Sequence, residues 1–547
     1  MGDRAFESIE RAVRNLCLER SIAPGVSVGL TDREQTLHVA GIGHADPVAR
    51  IRVEPGHLFQ IGSISKSFTA IALLQEWEAG RLDLHAPVTE YLPWFEVRSR
   101  FAPITVHHLL THTAGIVSGM DFTGEGAHEV WALRETDTGW AAGDRYLYSN
   151  AGYKALGLIL EAVAGQPWWD VVRARVIEPL GMGNTEPVIT HDVRRRLAVG
   201  QTAFYDDRPW HSSHGVVPAP WLESGTADGT ICSTAADMAG YVRMLLNGGE
   251  GPSGRLIARE SYGLLVQRAV EVADEPGAFY GYALLTRERH GHVLIGHSGG
   301  MVGFTALILA DVDSGFGVVL LLNGSGERLE AGIHAIDTLE AEAADRALPP
   351  VPPVPDPARI EGAADYAGVY RSGERILAVR AEGDRLLVER RGERAGLERV
   401  AGPDAFIAPH PDLDRFVLRF GREGADGRGD GQVVEIFHGP DWYVNDRYAG
   451  PTSFEHPPEW DAYAGHYRSH NPWASNFRVV VRKGRLWLTG AFAEEHADGE
   501  LRALADASFR VLAADGSPSR IRFDTMIDGR ATRAILDCAP YYRTFTP

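Results

Sequence analysis

The chain has 547 residues, with 54 Lys and Arg against 73 Asp and Glu and a formal charge of −19 at pH 7. That length is too great for one hydrophobic core and calls for about two to four domains. The acidic balance argues against nucleic acid or an anionic membrane surface as partner, and no run approaches the ~18 apolar residues of a spanning helix.

The start of the sequence, Met1 to Glu7, lacks the apolar stretch of a secretory signal. Cys17, Cys232 and Cys538 lie far apart, with neither metal-ligand spacing nor a disulfide framework. The expectation is a cytoplasmic protein with reduced thiols.

Taken in order, strand-like runs open the chain at 25–30 and 37–41. A helix begins at Ser63, continues through Phe68, Ile71 and Ala72, and stops at Gly80. A second, lined by Tyr153, Leu156, Leu160 and Val163, stops at Gly165. Further strands are expected at 293–297, 303–310 and 316–322. Strands from both ends of this stretch, joined in one sheet with helices packed around it, give an α+β domain. It is expected to be an α/β sandwich whose sheet is largely antiparallel.

Six prolines fall in the nine residues from Pro349 to Pro357. Such a run favours polyproline II and spans about 28 Å at roughly 3.1 Å per residue. Beyond it, Tyr366-Ala-Gly-Val-Tyr370-Arg371 recurs as Tyr463-Ala-Gly-His-Tyr467-Arg468. Each copy leads into short strands around a turn glycine, Gly383 or Gly484. Two small all-β antiparallel, lipocalin-like barrels are therefore expected. The expected layout is a first domain over 1–345, a linker over 346–358, and β-domains over 359–452 and 453–547.

The candidate chemistry starts at Ser63-Ile-Ser-Lys66. Only three of the basic residues are lysines (Lys66, Lys154 and Lys483), and lysine, unlike arginine, can lose its proton in a protein. Three residues apart on a helix, Ser63 and Lys66 share a face. To act as a base near neutral pH, Lys66 needs its charged form penalised by roughly 4 kcal/mol through burial or neighbouring positive charge. The plainer alternative is a helix-capping serine and a solvated lysine. Tyr148-Ser149-Asn150 precedes the second helix, as a proton-relaying tyrosine and an orienting amide, or as a buried aromatic with Asn150 capping the helix. His297-Ser298-Gly299-Gly300 ends a strand where glycines admit a substrate close to the backbone, or simply make a turn.

Taken together, Ser-x-x-Lys, Tyr-x-Asn and His-x-Gly in this order resemble the serine β-lactamase and penicillin-binding-protein superfamily, and more narrowly the class C β-lactamase-related esterases and D-aminopeptidases. Leu109 to Gly115, Pro179 to Met182 and Asp228 to Asp237 carry further likeness. The resemblance covers about residues 5–330, and the double β-domain tail is similar to that of D-aminopeptidases of this group. It implies Ser63 as acylated nucleophile, Lys66 as its base and Tyr148 as proton shuttle. Asn150 would position Lys66 and the substrate amide. The backbone N–H groups of Ser63 and Gly300 would form the oxyanion hole, with Gly299 before it in the His-x-Gly triplet. His297 stands where penicillin-recognising relatives carry a lysine, which favours an esterase, amidase or aminopeptidase-type enzyme over a β-lactamase. No metal and no organic cofactor are implied, and the partner is a small-molecule or short peptide substrate.

Three rivals remain at this point. Gly296-His-Ser298-Gly-Gly300 also fits the nucleophile elbow of α/β-hydrolases, which needs strand, sharp turn and helix. The same acyl-enzyme could pass its acyl group to an amine, making a peptide cyclase or transpeptidase. The fold could also serve as a non-catalytic ligand binder. His107, His108 and His112 are expected in a packed helix and turn rather than at a metal, and Lys154 is expected to be exposed.

Overall fold

The computed structural model describes residues 2–119, 124–273, 275–423, 431–490, 498–511 and 516–544. The chain divides into two compact units, Met1–Thr202 with Val216–Pro355, and Ala203–Gly215 with Asp356–Pro547.

The first unit is built on one nine-stranded sheet. Its strands are β1 (Gly25–Thr31), β2 (Thr36–Asp46), β3 (Ile51–Arg52), β4 (Val270–Glu271), β5 (Ala278–Tyr280), β6 (Leu285–Arg289), β7 (His292–Met301), β8 (Phe304–Asp311) and β9 (Phe316–Leu322). They lie in the order β4-β5-β6-β7-β8-β9-β1-β2-β3, and every pairing is antiparallel. The strands from the two ends of the domain meet where Val28 of β1 faces Leu320 of β9. This is the mixed α/β architecture with a largely antiparallel sheet that the sequence predicts.

Side-chain alternation sorts the sheet's two faces. Leu294, Leu307, Leu309, Val318 and Leu320 pack in one core with Ile9 and Val13 of α1 (Asp3–Val13). Ala335 and Leu339, on a helix near the end of this unit, join the same core. On the other face, Ile295, Ala306, Ile308, Val319 and Leu321 join the larger core. That core also holds the apolar residues of α2 (Ser65–Glu78), α3 (Asn150–Ala164) and α4 (Ala235–Leu246). The last helix, α5 (Leu329–Ala343), carries Ala335 and Leu339. From Ser65 to Leu74 every residue of α2 is buried, the mark of a helix enclosed on all sides rather than lying on a surface.

The second unit holds two β-modules. In the first, strands between Gly368–Ser372 and Asp441–Val444 form a nine-stranded antiparallel sheet. Its two edge strands, Glu393–Gly396 and Glu398–Arg399, are consecutive in the chain, so the sheet nearly closes on itself. The second module is a closed eight-stranded barrel, sealed where Tyr467 pairs with Arg543. The sequence repeat has a structural counterpart. Tyr370 Oη donates to Tyr366 O at 2.8 Å, and Tyr467 Oη donates to Tyr463 O at 2.7 Å. Both donor tyrosines are fully buried, and the bond to the backbone carbonyl four residues before accounts for the second tyrosine of the motif.

Two features tie the second unit together. Lys483 Nζ lies 2.8 Å from Glu435 Oε2 among the rings of Phe437, Trp442, Tyr448 and Phe454. The excursion 203–215 also reaches both modules: Arg208 bonds Asp414 at 2.8 Å, and Asp207 pairs with Arg478 at 3.2 Å.

Candidate active site

Ser63 sits in a single 3-10 turn, Gly62–Ile64, that runs straight into α2. The turn is strapped from outside by the segment 227–231. Ile61 N donates to Ile231 O at 2.9 Å, Ile231 N donates to Ser65 Oγ at 3.1 Å, and Thr69 Oγ1 donates to Ala227 O at 2.8 Å. The helix thus starts at a fixed place, with Ser63 partly open to solvent and Lys66 fully buried one turn on.

Around Lys66 Nζ lie three oxygens: Ser63 Oγ at 3.0 Å, Asn150 Oδ1 at 2.8 Å and the Asp228 carbonyl at 2.7 Å. The amide and the carbonyl can only accept, whereas the hydroxyl can donate or accept. The ammonium can donate to all three oxygens, and once neutral the amine keeps its N–H bonds to Asn150 and Asp228 and turns its lone pair to the Ser63 hydroxyl. The Tyr148 ring lies 4.9 Å and the Tyr153 ring 5.6 Å from the same nitrogen.

Tyr148 and Asn150 are brought here by the start of α3. Ser149, not Asn150, is the N-cap: its Oγ accepts from Gly152 N at 3.0 Å and donates to Val117 O at 2.7 Å. Asn150, as the first residue of the helix, is left to face Lys66. Lys154, one turn later, is buried rather than exposed. Its Nζ lies 2.8 Å from Glu129 Oε2, with both side chains at most 3% exposed. A buried charge keeps its ionised form only when paired, so this contact fastens α3 to the helix Gly126–Ala132.

Two glycines let β7 press against the nucleophile turn. A Cβ on Gly299 would stand 1.9 Å from Ile61 O. Gly62 has φ +55, and a Cβ there would stand 2.5 Å from Gly300 N. The backbone nitrogens of Ser63 and Gly300 therefore lie on adjoining stretches of chain, with no side chain between them. Gly296–Gly300 lies inside the ten-residue strand β7, and Ser298 points away from the face that carries Ile295 and His297. No strand-turn-helix exists at Ser298, so the nucleophile-elbow alternative has no support in the fold.

His297 is 6% exposed, and both its ring nitrogens are engaged within the protein. Nδ1 lies 2.5 Å from Ser298 O, and Nε2 lies 3.1 Å from Tyr280 Oη. A carbonyl can only accept, so Nδ1 carries the proton and Nε2 accepts from the Tyr280 hydroxyl. Burial, and then the charge of Lys66, hold its pKa down to about 4. The same burial pushes the Tyr280 and Tyr153 phenols well above their ordinary value.

His112, which the sequence places only in a packed turn, is a structural keystone of this site. It has φ +56 and is 1% exposed, and its Nδ1 accepts from Ser149 N at 3.0 Å. Its ring lies 4.2 Å from that of Tyr148, 4.8 Å from Tyr280 and 5.0 Å from Tyr153. Burial and then Lys66 hold its pKa well below the ordinary value, so it is a neutral acceptor. The signal available in the sequence was the motif Leu109 to Gly115. The motif Asp228 to Asp237 likewise marked the segment that brings the Asp228 carbonyl, whereas Tyr280 carried no such signal, because it reaches the site only through the fold.

Known proteins are similar to this chain. Penicillin-binding protein 4 of Amycolatopsis lactamdurans is 29% identical over 351 residues, covering 61% of this chain and 90% of that protein. Protein Rv1367c of Mycobacterium tuberculosis H37Rv is 28% identical over 296 residues, covering 49% of this chain and 72% of that protein. Among solved structures, a penicillin-binding protein homologue from Pyrococcus abyssi, described as octameric, superposes with a TM-score of 0.58 at 25% identity. That match covers 82% of this chain and 99% of the other. This fold with these relatives supports a serine hydrolase-type function. The model of the Beta-lactamase family matches residues 13–343, well over half of the chain, and the chain belongs to that family.

Proposed function

We propose that the protein is a serine hydrolase that forms an ester on Ser63 and transfers the acyl group of small amides, short peptides or esters to water. The observation that carries this reading is the Lys66 amine, fully buried and within 3.0 Å of the Ser63 hydroxyl. Lys66 Nζ takes the Ser63 proton as Oγ attacks the substrate carbonyl. Asn150 and the Asp228 carbonyl hold the amine with its lone pair toward Ser63. The Ser63 and Gly300 N–H groups receive the developing oxyanion. Tyr148, beside Lys66, passes the proton to the leaving amine or alcohol, and water then releases the acyl group by the reverse relay.

The wiring of His297 bears on the substrate class. A lysine at this position would present a cation to a substrate carboxylate. Neutral, buried and engaged at both nitrogens, His297 presents none, which favours esters and amides, including those of D-amino acids, over substrates held by a carboxylate. The test is turnover of p-nitrophenyl acetate and of a panel of L- and D-amino-acid p-nitroanilides, each with and without an added carboxylate. The reading expects hydrolysis that vanishes in Ser63→Ala and gains nothing from the carboxylate. Equal turnover by Ser63→Ala would refute it.

A further inference from the structure

On the opposite face of the same sheet, at the far end of β7 from the nucleophile turn, a second group of ligating side chains converges. His292 opens β7, Asp311 ends β8 and Glu340 lies on α5. His292 is roughly 16 Å along the strand from His297, at about 3.3 Å per residue. His292 Nδ1 lies 3.0 Å from Asp311 Oδ2 and 3.5 Å from Glu340 Oε1. One ligand atom from each of the three falls within 4.8 Å of the others.

The surroundings orient this group. Asp311 is 2% exposed, and its Oδ1 accepts from Asp313 N at 3.0 Å and Ser314 N at 2.8 Å, which leaves Oδ2 for the cluster. Asp313 spends its own carboxylate on Val293 N at 2.6 Å. Arg289, the nearby cation on β6, is held by Asp337, one turn before Glu340 on α5. The Glu340 Oε1 and Ser314 Oγ atoms are both buried, and the side chains acting on the Glu340 carboxyl are those of the cluster and its turn, Ser314, Asp311 and His292.

Two carboxylates thus face one imidazole nitrogen, which can offer at most one N–H. Glu340 Oε1, a buried atom 3.5 Å from that nitrogen, has only a weak share of it, which is costly for a buried carboxylate. A doubly charged ion in place of that proton serves both carboxylates and balances their charge. The spacing agrees. With bonds of about 2.0–2.1 Å, the ligands of a tetrahedral zinc ion stand roughly 3.3 Å apart, between the 3.0 and 3.5 Å found here. The fourth ligand would be water or Ser314 Oγ, and the His292 side chain, 38% exposed, leaves an entry from solvent.

We propose that His292, Asp311 and Glu340 bind one divalent cation of the zinc class, pinning the start of β7 and the turn after β8 to α5. The site is structural and separate from Ser63, so it stands or falls independently of the proposed reaction.

The experiment strips full-length protein with chelator, dialyses it against a small excess of ZnCl2, and measures bound zinc and melting temperature. Wild type, Ser63→Ala, Glu340→Gln and His292→Asn are run together, because the chain's 21 histidines can bind zinc adventitiously. The expected result is one zinc retained per chain by wild type and Ser63→Ala, with a rise in melting temperature of roughly 4 °C. Each of the other two variants should bind at least tenfold more weakly and lose that rise. Zinc retention equal in all four proteins would overturn the proposal as an adventitious ion only. No retention by wild type would also overturn it, leaving His292 and Asp311 as a plain ion pair.

Discussion

The Lys66 amine donates to Asn150 Oδ1 at 2.8 Å, across 84 residues of sequence, while lying 3.0 Å from Ser63 Oγ. This contact fixes the amine from the side opposite its own backbone, so the direction of its lone pair is set by α3 and not by the lysine's flexible stem. Lys66→Arg keeps the charge and cannot give up the proton. The expected loss is about 10³-fold or more in kcat/KM with the fold retained by circular dichroism. Asn150→Ala should cost less, about 10–100-fold, because the Asp228 carbonyl remains. Steady-state kinetics on an ester substrate measures both.

Gly299 and Gly300 are neighbours with opposite tolerance. A Cβ on Gly299 would strike Ile61 O, whereas one on Gly300 would meet nothing within 4 Å. Gly300→Ala keeps its N–H and is expected to melt within about 1 °C of wild type with activity of the same order. Gly299→Ala must push β7 off the nucleophile turn, with an expected cost of roughly 3 kcal/mol and loss of turnover. Thermal melts and kinetics on the two variants make the comparison.

His297 makes stability depend on pH in a stated direction. Its folded pKa, about 4, lies below the ordinary ~6.5 of an unfolded histidine. The unfolded chain therefore binds more protons between these values. The stability gained from the neutral ring is fully present above pH ~6.5 and is lost as pH falls toward 4, by about 3 kcal/mol in all. His112 shifts in the same direction. The measurement is urea unfolding of wild type against His297→Gln from pH 4 to 8, and the variant should show the shallower acid loss. The kcat/KM profile should contain no ionisation of His297 near pH 6–7.

The Lys154–Glu129 pair is a test of burial. Removing one partner strands a charge, so Lys154→Met should cost about 3–5 kcal/mol. Lys154→Met with Glu129→Leu should recover much of that loss, as a double-mutant cycle by chemical denaturation would show.

Local spacing made part of this site legible. Ser63 and Lys66 are one helical turn apart, and Tyr148 and Asn150 bracket a cap, so their proximity needs no knowledge of the fold. The tyrosine repeat announced two β-modules for the same reason, since each copy closes a bond over four residues. What sequence spacing could not give are contacts made by topology. The Asp228 carbonyl reaches Lys66 because the segment 227–231 straps α2, and Tyr280 reaches His297 across the sheet. Lys154 looked solvated because its partner is 25 residues upstream. Its burial follows from the packing of α3 against the helix Gly126–Ala132. The His292, Asp311 and Glu340 cluster draws on three elements, and the finger 203–215 carries no composition that marks it as part of the second unit.

The central claim is that Ser63 is the nucleophile, and intact-mass spectrometry after a fluorophosphonate probe tests it most directly. Wild type and Ser298→Ala should each gain one adduct, and Ser63→Ala should gain none. An adduct that persists on Ser63→Ala, or one that disappears only in Ser298→Ala, would contradict the account.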